Sequence, residues 1–333
     1  MSDRIVVLGS NSFTAGHFIN YVLENTSAQI VGISRSPEYH PTFLPFLYKK
    51  SRPQRYTFHQ LDINNEMEKV CSILDEVRPE VVVNYAAQGE VRNSWKWPEQ
   101  WYQTNCLSVV RLAEYLKNVD YLNKYVAIST PEVYGTTGYN INENHNYYPS
   151  TPYAASKLAG DLHLFALFKR YGFPVVFTRA ANLYGIHQQL YRIIPLTFIK
   201  LKTGKSIDLH GRGENQRAFI HARDVADLTY RAITTEKNGE IYHVASDDGL
   251  RSIASVVKLI CEMTGHDFEK SVNLVDENYG QDSRFSMNAS KAKKELGWYQ
   301  KISFREGIKE TIDWLEENWD YIKTQPHEYI HKI

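Results

Sequence analysis

The sequence predicts an α/β protein built on a parallel sheet. Over the first half of the 333 residues, short apolar runs rich in β-branched residues alternate with longer segments of helical periodicity. Strands are predicted at 5–9, 29–34, 80–87, 124–130 and 174–180, and helices at 14–25, 64–76, 98–118 and 151–171. Parallel strands need long crossovers, which such helices provide. The alternation is typical of a doubly wound Rossmann sheet.

The alternation loosens after Tyr184, which predicts a smaller mixed α/β C-terminal domain. Helices are expected at 190–203 and 303–321, with a polar, glycine-rich turn and short mixed elements between them. We assign residues 1–180 to the Rossmann domain and expect 218–247 to return to it. The second domain then consists of 181–217 and 248–333.

Composition and charge narrow the class of protein. Lys plus Arg and Asp plus Glu both number 38, so no strong net field attracts nucleic acid or an anionic membrane. The first residues enter an apolar strand without a basic leader, and no window is long enough to span a membrane, which predicts a cytoplasmic protein. The three cysteines are widely spaced and are interpreted as packing residues. An enzyme or a neutral binding module fits these properties.

The turn after the first predicted strand has the small residues of a dinucleotide-binding turn. Gly9 allows the tight bend, and Ser12 and Ala15 let the backbone approach a pyrophosphate and the helix pack on the strand. We therefore predict that Gly9, Ser12 and Phe13 contact a cofactor. By itself this turn is also compatible with an ordinary strand-to-helix connection.

The end of the second strand bears on which cofactor is used. No acid follows it to hold a ribose 2′-hydroxyl, whereas Arg35 stands between two serines, Ser34 and Ser36. A guanidinium there suits the 2′-phosphate of NADP, with NAD as the alternative, although an exposed loop cation would look the same. Further cofactor contacts are predicted after the third and fourth strands, at Asp62, Ile63, Ala86 and Ala87.

Tyr153 and Lys157 form the most specific chemical pattern. They lie four residues apart on a predicted helix, so their side chains project from one face. Lysine and a positive nicotinamide ring would stabilise a phenolate; lowering the pKa of a tyrosine from about 10 to about 7 takes roughly 4 kcal/mol. Tyr153 could then act as a base at neutral pH.

Taken together, these motifs resemble the extended short-chain dehydrogenase/reductases, and within them the nucleotide-sugar 4,6-dehydratases, particularly the dTDP-glucose type. The similarity spans nearly the whole chain. It is carried by AAQGEVRNSWKWP at 86–98, STPEVYG at 129–135, PSTPYAASK at 149–157, NLYG at 182–185, GRGENQRAFIHARDVA at 211–226, DSRF at 282–285 and KELGW at 294–298.

The resemblance implies roles for individual residues. Tyr153 would take the proton from O4 of the sugar, with Lys157 and Thr130 orienting and polarising that oxygen, and Glu132 would remove the proton from C5 while water leaves C6. A tightly bound nicotinamide cofactor would be recycled in each turnover. Contacts with a nucleotide-activated hexose are implied for Gln88, Asn182, Arg217 and Arg284. Family members commonly form homodimers through the helices that correspond to 98–118 and 151–171.

One departure keeps other reactions open. Pro131 stands where dTDP-glucose dehydratases have an aspartic acid, and proline cannot transfer protons. Glu132 would then have to remove the C5 proton and also assist water loss. A 4-epimerase or a decarboxylase shares Tyr153 and Lys157 and remains an alternative, and a non-catalytic NAD(P)-sensing protein is a more distant one.

A histidine motif near the end of the sequence spells HExxH at 327–331, as in zinc metalloproteases. It follows Pro326 and has no third ligand nearby, so no metal site is expected.

Overall fold

The computed structural model describes residues 4–136, 140–276 and 284–331. Its strands are β1 (Arg4–Leu8), β2 (Gln29–Ser34), β3 (Tyr56–Gln60), β4 (Val81–Asn84), β5 (Lys124–Ser129), β6 (Val175–Ala180), β7 (Asn182–Tyr184), β8 (Ile207–His210), β9 (Gln216–His221), β10 (Ile241–Val244), β11 (Leu250–Ser252), β12 (Val272–Val275) and β13 (Arg284–Phe285).

The helices follow the same chain order. They are α1 (Phe13–Asn25), α2 (Met67–Val77), α3 (Val91–Ser94), α4 (Pro98–Tyr102), α5 (Ser108–Leu116), α6 (Pro152–Tyr171), α7 (Ile193–Lys202), α8 (Ala222–Thr234), α9 (Ile253–Thr264), α10 (Phe268–Ser271), α11 (Ser290–Leu296), α12 (Phe304–Glu317) and α13 (Trp319–Ile322). The helix predicted at 98–118 differs from the expectation, because a π-helical turn at Gln103–Leu107 separates α4 from α5.

Seven parallel strands form the main sheet, in the order β10-β6-β5-β4-β1-β2-β3. The order reverses direction at β1, where β2 lies on one side and β4 on the other. Ligands of such sheets bind in the crevice at the carboxyl ends of the strands that flank this point. The predicted doubly wound fold class is confirmed.

Alternate residues of β1 show why helices cover both faces of the sheet. Ile5 and Val7 pack into a core with α1 and α8, whereas Val6 and Leu8 pack into the opposite core with α2, α5 and α6. Successive side chains of a strand point to opposite faces, so a strand that is apolar throughout needs cover on both sides.

The second lobe is built on a smaller sheet in which β9 pairs with β7, β11 and β13. Helices α7, α9 and α12 pack beside it through residues such as Phe198, Val257 and Ile308. The chain then returns to the main sheet through α8 and β10, and β10 pairs with β6. Residue 218, where the sequence placed this return, lies within β9 of the smaller sheet.

Candidate active site

Most residues predicted to bind a cofactor line one open cleft along the carboxyl ends of β1 to β4. Its volume is about 210 Å³, and its predicted members are Gly9, Ser12, Ser34, Arg35, Asp62, Ile63, Ala86 and Ala87. Gln88, predicted to contact the sugar nucleotide, also lines this cleft. Phe13, Tyr153 and Lys157, also predicted to contact the cofactor, do not line this cleft; Phe13 is buried and lines a neighbouring cavity together with residues of the second lobe.

Close backbone packing explains the glycine at the first turn. Gly9 has a φ of +73°, and a Cβ there would stand 2.6 Å from the backbone nitrogen of Ala86. Helix α1 begins directly after this turn. The Ser12 hydroxyl caps its amino end and accepts a hydrogen bond from the Ala15 N–H at 3.3 Å. The amino end of a helix and a turn without side chains together suit a pyrophosphate group.

The loop after β2 is tied to this turn by Asn11. Its backbone N–H donates to Ser34 Oγ at 3.0 Å, and its side-chain amide donates to the carbonyls of Ser36 and Pro37 at 3.0 and 2.8 Å. The Ser34 hydroxyl therefore already accepts a hydrogen bond within the protein, which ties the loop after β2 to the turn after β1. Sequence analysis did not identify Asn11, whose contacts lie more than twenty residues away along the chain.

The far wall of the cleft depends on Asn105, another residue to which sequence analysis gave no role. Its side chain accepts a hydrogen bond from the Gln88 N–H at 2.9 Å, and its amide donates to the Gln88 carbonyl and to Ser156 Oγ, both at 3.0 Å. Asn105 lies in the π-helical turn, and α6 approaches it so closely that a Cβ on Gly160 would stand 2.4 Å from its carbonyl oxygen. This packing joins the cofactor cleft to the helix that carries Tyr153.

Thr130, Glu132 and Tyr153 meet at the carboxyl end of β5. Thr130 Oγ accepts the Glu132 N–H at 3.3 Å and so caps a short helical turn that begins at Pro131. Burial raises the pKa of Tyr153, the charge of Glu132 raises it further, and a hydrogen bond with Thr130 lowers it. The Tyr153 phenol therefore contacts Thr130 and feels the charge of Glu132.

Lys157 hydrogen-bonds to the main chain of β5. Its ammonium donates to the Ile128 carbonyl at 2.7 Å. Burial lowers the pKa of Lys157, and the charge of Asp161, one turn further along α6, opposes that effect. The shift of the Tyr153 pKa is opposite to the one predicted from the sequence, because burial of the phenol and the charge of Glu132 outweigh the groups that lower it.

A buried polar network lies behind Lys157. Asp161 accepts hydrogen bonds from Ser129 Oγ at 2.5 Å and from Arg179 at 3.0 Å. The same guanidinium donates to Tyr134 Oη at 2.6 Å and to Tyr147 Oη at 3.3 Å. The Asp161 carboxylate, the Arg179 guanidinium and the two phenols thus fix the positions of β5, α6 and the loop after β5 relative to one another.

Arg192 adds a positive charge that sequence analysis missed. It precedes α7 in the second lobe, and its charge lowers the pKa of Tyr153. Its approach to Tyr153 is set by the packing of the two lobes, which no local pattern in the sequence records.

The residues predicted to hold the substrate pyrophosphate fall on three neighbouring strands of the smaller sheet. Asn182 is exposed on β7, Arg217 is buried on β9, and the backbone of Arg284 on β13 pairs with β9. Arg217 donates to the Gln216 carbonyl at 2.8 Å. The Arg284 side chain lies outside the described part of the structure.

These features fit a nicotinamide dinucleotide. The cradle at Gly9 would be filled by any Cβ, the amino end of α1 lies beside it, and the cleft leads from Arg35 to Gln88. Among residues 4–136, 140–276 and 284–331, no cluster of three or more histidine, cysteine or acidic side chains could hold a metal ion. In the same ranges, none of the helices combines the length and apolarity needed to cross a bilayer.

Comparisons with known proteins identify the family of this chain. A dTDP-glucose 4,6-dehydratase of Shigella flexneri is 28% identical over 96% of this chain and 94% of its own length. The structure of DesIV, a dTDP-glucose 4,6-dehydratase of Streptomyces venezuelae solved with NAD bound, matches with a TM-score of 0.87 at 26% identity, covering 96% of this chain and 98% of that one. A dTDP-glucose 4,6-dehydratase of Bacillus anthracis in complex with NAD matches with a TM-score of 0.85 at 28% identity, with the same two coverages. A family model described as GDP-mannose 4,6 dehydratase matches residues 6–311, and the chain belongs to that family.

Proposed function

We propose that the protein is a nucleotide-sugar 4,6-dehydratase, which converts a nucleotide-activated hexose to its 4-keto-6-deoxy form. The observation that carries this proposal is the convergence of Thr130, Glu132 and Tyr153 at the carboxyl end of β5, beside the dinucleotide cleft. An epimerase needs a base at O4 only, whereas elimination of water also needs a base at C5. Glu132 would be the carboxylate that takes this second proton.

Three side chains act at different atoms of the sugar. Tyr153 accepts the O4 proton, and Thr130 holds that oxygen through its hydroxyl. A nicotinamide cofactor bound in the cleft would supply the hydride acceptor for C4 and the hydride donor for C6, so no net oxidation would occur. The ketone at C4 acidifies the proton on C5, Glu132 removes it, and the C6 hydroxyl leaves as water; C5 regains a proton from solvent as C6 is reduced.

Because Pro131 stands where related enzymes have an acid, we assign the acid step to Glu132 as well. Proline has no proton to give to the leaving hydroxyl, and it begins the turn that presents Glu132. A carboxyl group that has just taken the C5 proton can pass it to the departing C6 oxygen. One residue then does the work that two acids would share.

We propose NADP as the cofactor, with NAD as the alternative. The proposal rests on Arg35, whose guanidinium lines the cleft after β2, where no acid is present to bind a 2′-hydroxyl. The solved relatives described above carry NAD, which favours the alternative. The test is to measure the dissociation constants of NADP and NAD for the wild type and for Arg35→Ala. If the protein uses NADP, the variant should lose affinity for NADP and keep its affinity for NAD.

The substrate contacts and the assembly are proposed from two different surfaces. Gln88, Asn182, Arg217 and Arg284 would hold the sugar nucleotide, since guanidinium groups match phosphate oxygens. Homodimer formation through 98–118 and 151–171 is supported by exposed apolar side chains on these segments, namely Leu107 at 46% and Leu162 at 48% exposure. Light scattering on the purified protein tests whether it is a dimer. A cytoplasmic location remains a prediction.

The reaction is tested with UDP-, GDP-, CDP- and dTDP-hexoses and mass spectrometry of the products. A dehydratase gives a product lighter by one water. When the reaction runs in D₂O, C5 of the product carries deuterium from the solvent. An unchanged mass with inverted configuration at C4 would indicate epimerisation, and loss of carbon dioxide from a nucleotide-activated hexuronic acid added to the panel would indicate decarboxylation; either would refute the proposal.

Two variants separate the steps. Glu132→Gln should still oxidise C4 and accumulate reduced cofactor, because Tyr153 is intact, but it should not release water. Tyr153→Phe should block the oxidation itself. If Glu132→Gln dehydrates at the wild-type rate, Glu132 is not the base at C5.

A further inference from the structure

The histidine motif at 327–331 joins the two lobes. This segment, here called the strap (His327–His331), follows α13 in the second lobe and reaches α4 in the Rossmann lobe. At one end, His327 Nε2 lies 3.1 Å from the Ile322 carbonyl of its own lobe. At the other end, His331 Nε2 lies 2.6 Å from Gln100 Oε1. The His331 imidazole thus reaches the other lobe, whereas the His327 imidazole contacts only the lobe to which the chain already joins the strap.

Aromatic rings fix the far end. The His331 ring lies nearly parallel to the indoles of Trp97 and Trp101, with centroids 4.6 and 5.4 Å apart and interplanar angles of 9° and 5°. Trp101 has no exposed surface, so it is a rigid platform. Between the ends, the Tyr329 ring meets Tyr191 edge-on at 5.3 Å.

The strap borders the cavity that adjoins the dinucleotide cleft. Glu328 and Ile330 line this cavity together with Asn11, Tyr39 and Gln189, and those three residues also line the cleft. The positive charge of Arg35, inside the cleft, acts on both Tyr329 and His331. A dinucleotide lying between Arg35 and Gln88 therefore has the strap at its side.

We propose that the strap is the outer wall of the dinucleotide site and that its contacts with α4 set the rate at which the cofactor leaves. This inference rests on the assignment of the cleft to a nicotinamide cofactor. Departure requires the strap to lift, which breaks the His331–Gln100 hydrogen bond and separates the imidazole from both indoles. A cofactor that is recycled within each turnover benefits from slow release, because its reduced form must stay until the hydride is returned.

The experiment measures cofactor release directly, without turnover. Wild-type protein and variants are loaded with reduced cofactor, an excess of oxidised cofactor is added, and the fall of nicotinamide fluorescence gives the dissociation rate. His331→Ala should release the cofactor about tenfold faster or more, since a hydrogen bond and a ring stack are lost together. His327→Ala is the matched control: it removes the same side chain from the same strap but keeps the contact with α4, so its rate should stay within about twofold of the wild type.

A second variant tests the contact from the other lobe. Trp97→Ala should also speed release, and adding it to His331→Ala should give less than the product of the two effects, because both remove the same ring stack. Equal release rates in wild type and His331→Ala, or equal acceleration by His327→Ala, would overturn the strap proposal. If the folded wild type binds neither dinucleotide, the assignment of the cleft fails and the strap proposal fails with it.

Discussion

Replacing Asp161 by asparagine removes the charge that faces Arg179 in the core behind the active site. Arg179 has no exposed surface, and Asp161 is 3% exposed. The carboxylate accepts hydrogen bonds from Arg179 at 3.0 Å and from Ser129 at 2.5 Å. Removing one member of a buried ion pair leaves an uncompensated charge, which lowers the free energy of unfolding by about 3–5 kcal/mol. The neutral phenols around Arg179 cannot replace that charge.

Thermal unfolding followed by circular dichroism measures the effect. A chain of this size has an unfolding entropy of about 0.7 kcal/mol per kelvin, so Asp161→Asn should melt about 4–7 °C below the wild type. Asp120→Asn is the control, because Asp120 forms an ion pair with Arg78 at the surface, where such pairs contribute little. The double variant Asp161→Asn/Arg179→Met should melt above Asp161→Asn, since it leaves no lone charge. An Asp161→Asn protein that melts with the wild type would refute this reasoning.

Three further predictions concern close packing and pH. Gly9→Ala should abolish dinucleotide binding in calorimetry while leaving the circular dichroism spectrum intact, because its Cβ would stand 2.6 Å from the Ala86 nitrogen. Gly160→Ala should lower the melting temperature, because its Cβ would meet the Asn105 carbonyl at 2.4 Å; a melting temperature equal to that of the wild type would contradict the packing described for α6. Burial lowers the pKa of His187 to about 4, so this side chain is neutral in the fold and takes up a proton on unfolding below pH 6.5. Its contribution to the free energy of unfolding should fall as the pH drops from about 6.5 towards 4, by about 2 kcal/mol at pH 5, and His187→Phe should flatten the pH dependence of urea unfolding over that range.

The strand and helix order could be predicted because it depends on local patterns. Buried parallel strands are continuous apolar runs, and each is followed by a helical period long enough for a crossover. The π-helical turn at Gln103–Leu107 could not be predicted in this way. It lies where α6 packs closely against the chain at Gly160, and the hydrogen bonds of Asn105 to Gln88 and Ser156 cross between separate elements.

The residues of the candidate site likewise fall into those that local sequence patterns predict and those that come from distant elements. Thr130, Glu132, Tyr153 and Lys157 lie on or beside β5 and the helix that follows, so motif spacing predicted their proximity. Residues that reach the site from other elements were missed: Arg192 comes from the second lobe. A polar side chain that acts across lobes leaves no periodic signal in the sequence, and its role becomes visible only once the lobes are packed.

The charges around Tyr153 suggest an order for the two proton transfers. Burial and Glu132 both raise the pKa of Tyr153, so an ionised Glu132 and a phenolate in the same pocket repel each other. Arg192 favours the phenolate throughout, and an oxidised nicotinamide ring bound in the cleft would add a second positive charge. Once Tyr153 has taken the O4 proton, it is neutral and no longer repels the Glu132 carboxylate. The C5 proton becomes acidic only when C4 is a ketone, so the proton at O4 moves first and Glu132 acts second.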